Sequence, residues 1–357
     1  MFGLKINKNM ANDVRKILLK HSIINFEAKI KRENDFIIIP LIEEPDQDLL
    51  NSIDPNIKII EADFEIQKRD PKSLKDHLKD KIDPQKINEI RKSFDIIGDI
   101  VILEISDDLN NFKHLIGEAA LKFTKRKAIF RKKSEIKGII RTRELEHLAG
   151  EDISETIHQE FGCMLMLDVK KVYFSPRLAT ERKRVADQVK DGEVIVDMFA
   201  GVGPFSILIA KNHDVKIYAI DINPEAYKYI KKNIELNRVQ GKIIPVLGDI
   251  REVLEDKNIK ADRIIMNLPG SAFEFLGSAM NSIKNSGIIH YYEFSEGFQK
   301  PQVFDAPKIR RIFDGFETPI ERLKKVAYPR KVEILDKKKV RSRSPGKWHI
   351  GIDARIF

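Results

Sequence analysis

Apolar positions along this chain follow two different periods, and the change between them divides it. Near the start, Val14, Ile17 and Leu18 recur at helical spacing ahead of the strand-like run Phe36–Pro40, and a second strand pattern covers residues 57–64. This predicts a small α/β unit. From Gln67 to Gln85 charges alternate with Pro71 and Pro84 and no apolar period persists, so the first boundary falls there. A second α/β unit follows: an apolar run from Ile100 to Ile105, a helical pattern from Asn110 to Lys125, and the basic segment 125–133.

From about Val172 short apolar strands alternate with helical patterns, as βαβ units and a parallel sheet require. Strands are predicted over 194–197, 216–221, 242–247, 263–267 and 287–292. Two later strand patterns, 331–335 and 348–356, are separated by the basic stretch 336–346, which reads as a loop. The expected architecture is α/β, with a Rossmann-like sheet in residues 171–357 and two smaller α/β domains, 1–66 and 85–170, joined by a linker over 67–84.

Composition narrows the class. A chain of 357 residues suits two or three domains, and its apolar runs are too short to span a bilayer. The opening Met1-Phe2-Gly3-Leu4-Lys5 turns polar at once, unlike a secretory signal, so a cytoplasmic protein is expected. The single cysteine, Cys163, excludes an internal disulfide and any multi-cysteine metal site. No clustered His or Cys ligand set appears, and His147 and His158 read as structural residues. A formal net charge of +9 favours a polyanionic partner, because phosphates reward clustered Lys and Arg through counterion release.

The candidate chemistry begins where the strand at 194–197 ends. Asp197 leads into Met198-Phe199-Ala200-Gly201-Val202-Gly203-Pro204, and the two glycines permit a tight turn at the carboxyl end of a strand, where open α/β sheets bind ligands. Ser206 stands where a dinucleotide fingerprint needs its third glycine, and Pro204 lacks an amide that a pyrophosphate would use. The next strand ends in Asp221, an acid placed to accept both ribose hydroxyls of an adenosine group, and the third ends at Asp249, within reach of an adenine amino group. Three acids at successive strand ends fit adenosine without phosphates, and S-adenosyl-L-methionine is the expected cofactor. The fourth strand ends at Asn267-Leu268-Pro269, whose carboxamide offers a donor and an acceptor to a planar base edge.

The segments VYFSPRLATER, VDMFAGVGPFSI, YAIDINP and IMNLP, with RTRELEHLAGE upstream, resemble the archaeal and eukaryotic tRNA (guanine-37-N1)-methyltransferase family from about Lys125 onward. The resemblance implies a class I methyltransferase sheet. It implies that Arg141 contacts the target guanine, that Tyr173 arranges cofactor and base, that Glu181 is the general base and that Asn267 holds the base. It also implies a cofactor lining that includes Arg182, Asp221, Asp249 and Asn267, and the motif positions Asp197, Phe199, Ala200, Gly201, Gly203, Ile222, Ile250 and Pro269 complete the expected site. The implied partner is tRNA, touched at its outer corner by the N-terminal domain and at the anticodon stem-loop by the rest, with the protein acting as a monomer.

The chemistry points the same way. Guanine N1 carries a proton at neutral pH, so its attack on a methyl group needs a base and a donor for charge appearing on O6, roles that suit Glu181 and Arg141. Three alternatives stand beside this reading: methylation of a wyosine precursor at the same position, transfer of the cofactor's aminocarboxypropyl chain, and a binding module with a vestigial pocket. A DNA adenine methyltransferase would need an aromatic residue after Asn267-Leu268-Pro269, where this chain has Gly270.

Overall fold

In the computed structural model, which describes all residues except 55–56, 67–70, 72, 80, 92, 135–137, 139–142, 298 and 303–309, and side chains outside 298–312, the strand Phe2–Asn7 is central to an antiparallel sheet. The sheet order is Lys31–Glu33, Phe36–Pro40, Phe2–Asn7, Lys58–Glu61. Helix Ala11–Lys20 turns Val14 and Leu18, one turn apart, into the core with Leu4, Ile6 and Ile39. These residues belong to a compact unit, Met1–Ser73.

The second unit is Leu74–Phe357. Two expected boundaries change here. Leu74, Leu78 and Ile82, in the stretch expected as a linker, are buried in a core with Val101, Ile116 and Ile129. Their spacing of four residues is helical, but the charges around them hide it. The middle region also shares a second core with the large sheet, because Ile100, Phe130, Leu165, Ile195 and Ile217 lie in one cluster. The middle region and the large sheet are therefore one packed body.

That sheet has seven strands in the order Ile243–Leu247, Lys216–Asp221, Val194–Asp197, Ala261–Met266, Ile283–Glu296, Lys347–Ile356, Val332–Ser344. The first five run parallel, Lys347–Ile356 runs antiparallel to them, and Val332–Ser344, antiparallel to Lys347–Ile356, runs in the same sense as the first five. Parallel strands are covered on both faces, which is why they read as continuous apolar runs. The basic stretch expected as a loop is instead the outer half of an edge strand, with Lys337 paired to Ile352 and Arg341 to His349. Exposed lysines on an edge also discourage pairing with another chain. The basic segment 125–133 likewise contains a strand, Ala128–Lys132, flanked on both sides by partners.

A hairpin of Glu155–Glu160 and Cys163–Asp168 joins the middle region to the large sheet. Two asparagines of helix Pro224–Leu236 and its C-cap hold it. Asn237 accepts from the Met164 amide at 2.9 Å and donates to the Met164 carbonyl at 2.6 Å, and Asn233 does the same at Met166 at 2.7 and 3.1 Å. Four helical residues rise ~6 Å, close to the ~6.6 Å of two strand residues, so side-chain amides can stand in for a neighbouring strand.

Candidate active site

The glycine turn after strand Val194–Asp197 hangs between its neighbours: Met198 donates to the Ile265 carbonyl at 3.0 Å and Ala200 to the Ile220 carbonyl at 2.9 Å. Gly201 and Gly203 have φ of +56° and +83°, a region that disfavours side chains. A Cβ on Gly203 would also stand 2.8 Å from Ile230, whereas one on Gly201 would meet only the Tyr173 carbonyl, at 3.9 Å. The turn thus leaves an open cradle above Gly201. Gly203 then caps helix Pro204–Asn212, which opens on Pro204.

Three acids surround this cradle. Asp221 closes it, accepting the Gly201 amide at 2.6 Å and the Asn223 amide at 2.9 Å, and burial raises its pKa. Asp197 is buried; its Oδ2 accepts the Ser206 hydroxyl at 2.8 Å, and among the described residues its Oδ1 has no hydrogen-bond partner. Burial, reinforced by the nearby Asp221, pushes Asp197 up to about 7. Asp249 caps helix Ile250–Asp256 and pairs with Arg251 at 2.6 Å, which lowers its pKa. The Gly248 amide donates to the Asp221 carbonyl at 3.1 Å, so the second and third strand ends are tied. Ile222 and Leu247 are 42% and 45% exposed beside these acids, an apolar surface for a flat ring. An orphaned buried acceptor, an open cradle and exposed apolar side chains between carboxylates fit an amino-acid group and an adenosine. Ala200 and Ile250 are buried beneath the site, and Phe199 packs edge-on against Phe275 at 5.1 Å.

At the next strand end, the half-buried Asn267 makes no side-chain hydrogen bond among the described residues. Pro269 is buried and its carbonyl accepts the Phe294 amide at 2.9 Å, which pins the turn to strand Ile283–Glu296. Glu181, on helix Ala179–Ala186, is only 5% exposed. Its carboxylate accepts from Arg184 at 2.7 and 3.0 Å and from the Tyr292 hydroxyl at 2.6 Å. Tyr291 pairs with Met266, so Tyr292 brings Glu181 to the level of Asn267.

The other arginines near Glu181 go elsewhere. Arg177 pairs with Asp95 at 2.5 Å. Arg182 is buried, forks onto Glu160 at 2.5 and 2.6 Å, donates to the Ser175 carbonyl at 3.2 Å and lies 5.1 Å over Phe174. It thereby braces the segment that carries Tyr173. Asn223 donates to the Lys171 carbonyl at 3.1 Å and draws the same segment toward Asp221. Tyr173 lines a small cavity with Asp95, Ile97, Arg143, Leu167 and Phe174. Arg141 lies outside the described residues.

The sequence did not single out Arg184, Tyr292, His290 or Asp353. Asp353 accepts from Arg184, with a contact of 2.5 Å, and from His290 at 2.7 Å, and these partners hold its carboxyl far below the usual range despite its burial. A signal existed: His290 and Asp353 are polar residues at core positions of otherwise apolar strands.

Three family models cover most of the chain. The Trm5 N-terminal domain matches residues 3–49, the TYW2 N-terminal domain 74–153 and the TRM5/TYW2 methyltransferase domain 156–335. The chain belongs to the TRM5/TYW2 methyltransferase family. A relative from Pyrococcus abyssi, tRNA (guanine(37)-N(1))-methyltransferase Trm5b, is 43% identical over 99% of this chain and 98% of its own length. Among solved TRM5/TYW2 structures, the complex of aTrm5 with tRNALeu is similar at TM-score 0.77 and 39% identity, covering 100% of both chains. Methanocaldococcus jannaschii Trm5 in complex with adenosine is similar at TM-score 0.65 and 38% identity, covering 100% of this chain and 99% of that one.

Proposed function

We propose that this chain is an S-adenosylmethionine-dependent methyltransferase that acts on N1 of guanosine at position 37 of tRNA, beside the anticodon. The observation that carries the reading is the convergence at one sheet edge of the acid-lined glycine cradle, the uncommitted Asn267 carboxamide and the buried Glu181. When bound, the cofactor supplies an electrophilic methyl group on a sulfonium. Asp221 would accept ribose hydroxyls, Asp197 Oδ1 an ammonium proton, and Ile222 would lie against the adenine. Asn267 would hold the guanine edge while Glu181 takes the N1 proton. Arg141 and Tyr173 are proposed to contact the base, on the strength of the motif alone.

The tRNA would meet the protein at its outer corner and anticodon stem-loop. The enzyme is proposed to act as a monomer, in the cytoplasm.

The test is incubation with labelled cofactor and unmodified tRNA transcripts, followed by mass spectrometry of the nucleosides. One added methyl on guanosine 37 is expected. A mass gain corresponding to an aminocarboxypropyl group, or modification of wyosine precursors alone, would replace this reading with one of the two family alternatives.

A further inference from the structure

Glu181 does not stand alone beneath the sheet edge. Tyr292, 1% exposed, donates its hydroxyl to Glu181 Oε1 at 2.6 Å. Arg184 donates to the same oxygen through Nη2 at 2.7 Å and to Oε2 through Nε at 3.0 Å. Arg184 is itself held by Asp353, which accepts from it and from Gln188 Nε2 at 3.0 Å and His290 at 2.7 Å. Oε1 therefore has two short donors and Oε2 has one longer one.

The tyrosine ring has space reserved for it. Gly351 pairs with Tyr292 across the antiparallel strands, and a Cβ there would lie 3.0 Å from Tyr292 Cε1 and 3.5 Å from Glu181 Oε1. Gly351 is not among the glycines with positive φ, so space and not backbone conformation accounts for it. Phe205 and His349 flank the ring at 6.4 and 5.5 Å.

We propose that Tyr292 is a positioning residue for Glu181: its hydroxyl pins Oε1, and Oε2 is left as the oxygen that takes the guanine N1 proton. The inference rests on the reading of Glu181 as the base. A carboxylate accepts hydrogen bonds through four lone-pair sites, and fixing one oxygen fixes the direction of the free pairs on the other. Misplacing a reacting group by about 1 Å can cost on the order of 100-fold in rate.

A double-mutant cycle tests it with single-turnover methylation of tRNA transcripts. Tyr292→Phe keeps the ring and should slow the chemical step ~10- to 100-fold while leaving KM and cofactor affinity unchanged. In a Glu181→Gln background the same change should have no further effect, because the two residues act as one unit. Additive losses, or a Tyr292→Phe enzyme at the parent rate when Glu181→Gln is slow, would overturn the positioning role alone. A Glu181→Gln enzyme at the parent rate would overturn the base assignment and this inference with it. If Tyr292→Phe lowers the melting temperature, Gly351→Ala provides the second route: its methyl group pushes on the ring and should slow chemistry only where Glu181 is intact.

Discussion

The Asp221 carboxylate receives the Gly201 amide at 2.6 Å, so an acid at one strand end sets the shape of the turn at its neighbour. Its replacement should therefore act twice, removing a ribose acceptor and loosening the cradle. Asp221→Ala should weaken S-adenosylmethionine binding by about 1.5 to 3 kcal/mol, the range for lost hydrogen bonds to a charged group. Calorimetry showing unchanged affinity would remove Asp221 from the site.

Asp197 predicts a pH dependence of stability. Its folded-state pKa is raised to about 7 by burial, above that of an unfolded aspartate, so the folded state holds the proton longer. The resulting contribution is present at low pH and is lost as pH rises from about 4 through about 7. Asp197→Asn cannot ionise. Its stability relative to the parent should climb across that window by on the order of 2 to 4 kcal/mol and level off above it. Thermal unfolding from pH 4 to 8 checks this, and a flat difference would mean that Asp197 is stabilised in its charged form.

The outer half of the edge strand Val332–Ser344 presents Lys338, Arg341 and Arg343, the last lying 4.6 Å over Phe294. Aromatic faces among cations suit an RNA partner through charge and stacking. Changing Lys338 and Arg341 to Ala should weaken tRNA binding. Each lost phosphate contact should also flatten the slope of log affinity against log salt by about 0.7 to 0.9. Cofactor affinity should not respond. An unchanged slope would make this strand plain solvated surface.

Residues Met1–Ser73 have their own core, and the strand-end acids all lie in Leu74–Phe357. A protein beginning at Leu74 should fold and bind cofactor as the full chain does, with weaker tRNA binding. Removal up to residue 84 should instead unfold it, because Leu74, Leu78 and Ile82 are buried in the second unit. Circular dichroism and cofactor titration of the two truncations distinguish these outcomes.

The parallel strands were legible because burial on both faces writes them as unbroken apolar runs such as Ile195 and Val196 ahead of Asp197. Edge and hairpin strands were not. In Glu155–Glu160 only Thr156 and Glu160 are buried, so no apolar alternation marks it, and Lys337–Ser344 carries charge on an exposed edge. The glycine turn and its acids could be seen from spacing along the chain. The network around Glu181 could not, since Tyr292, which bonds it, and Asp353, which holds Arg184, are 111 and 172 positions away and are brought there only through the sheet register. Arg182 shows a different limit of motif reading. Its place in a motif suggested a ligand contact, whereas its guanidinium is engaged by Glu160 and the Ser175 carbonyl.

The amide clamps of Asn233 and Asn237 on the linking hairpin bear on how such enzymes can be recombined. Family resemblance changes description between residues 153 and 156, which invites a cut there. That seam runs into a hairpin whose Met164 and Met166 amides find their partners 73 and 67 positions downstream. A chimera joined at the seam would inherit half of a mutual fit, and foreign side chains at 233 or 237 would leave buried amides without acceptors, at about 1 to 3 kcal/mol each. Exchange of RNA-binding parts between relatives should succeed when the crossover precedes Leu74, and fail to yield soluble protein when it falls near residue 155 unless the matching helix travels with the hairpin.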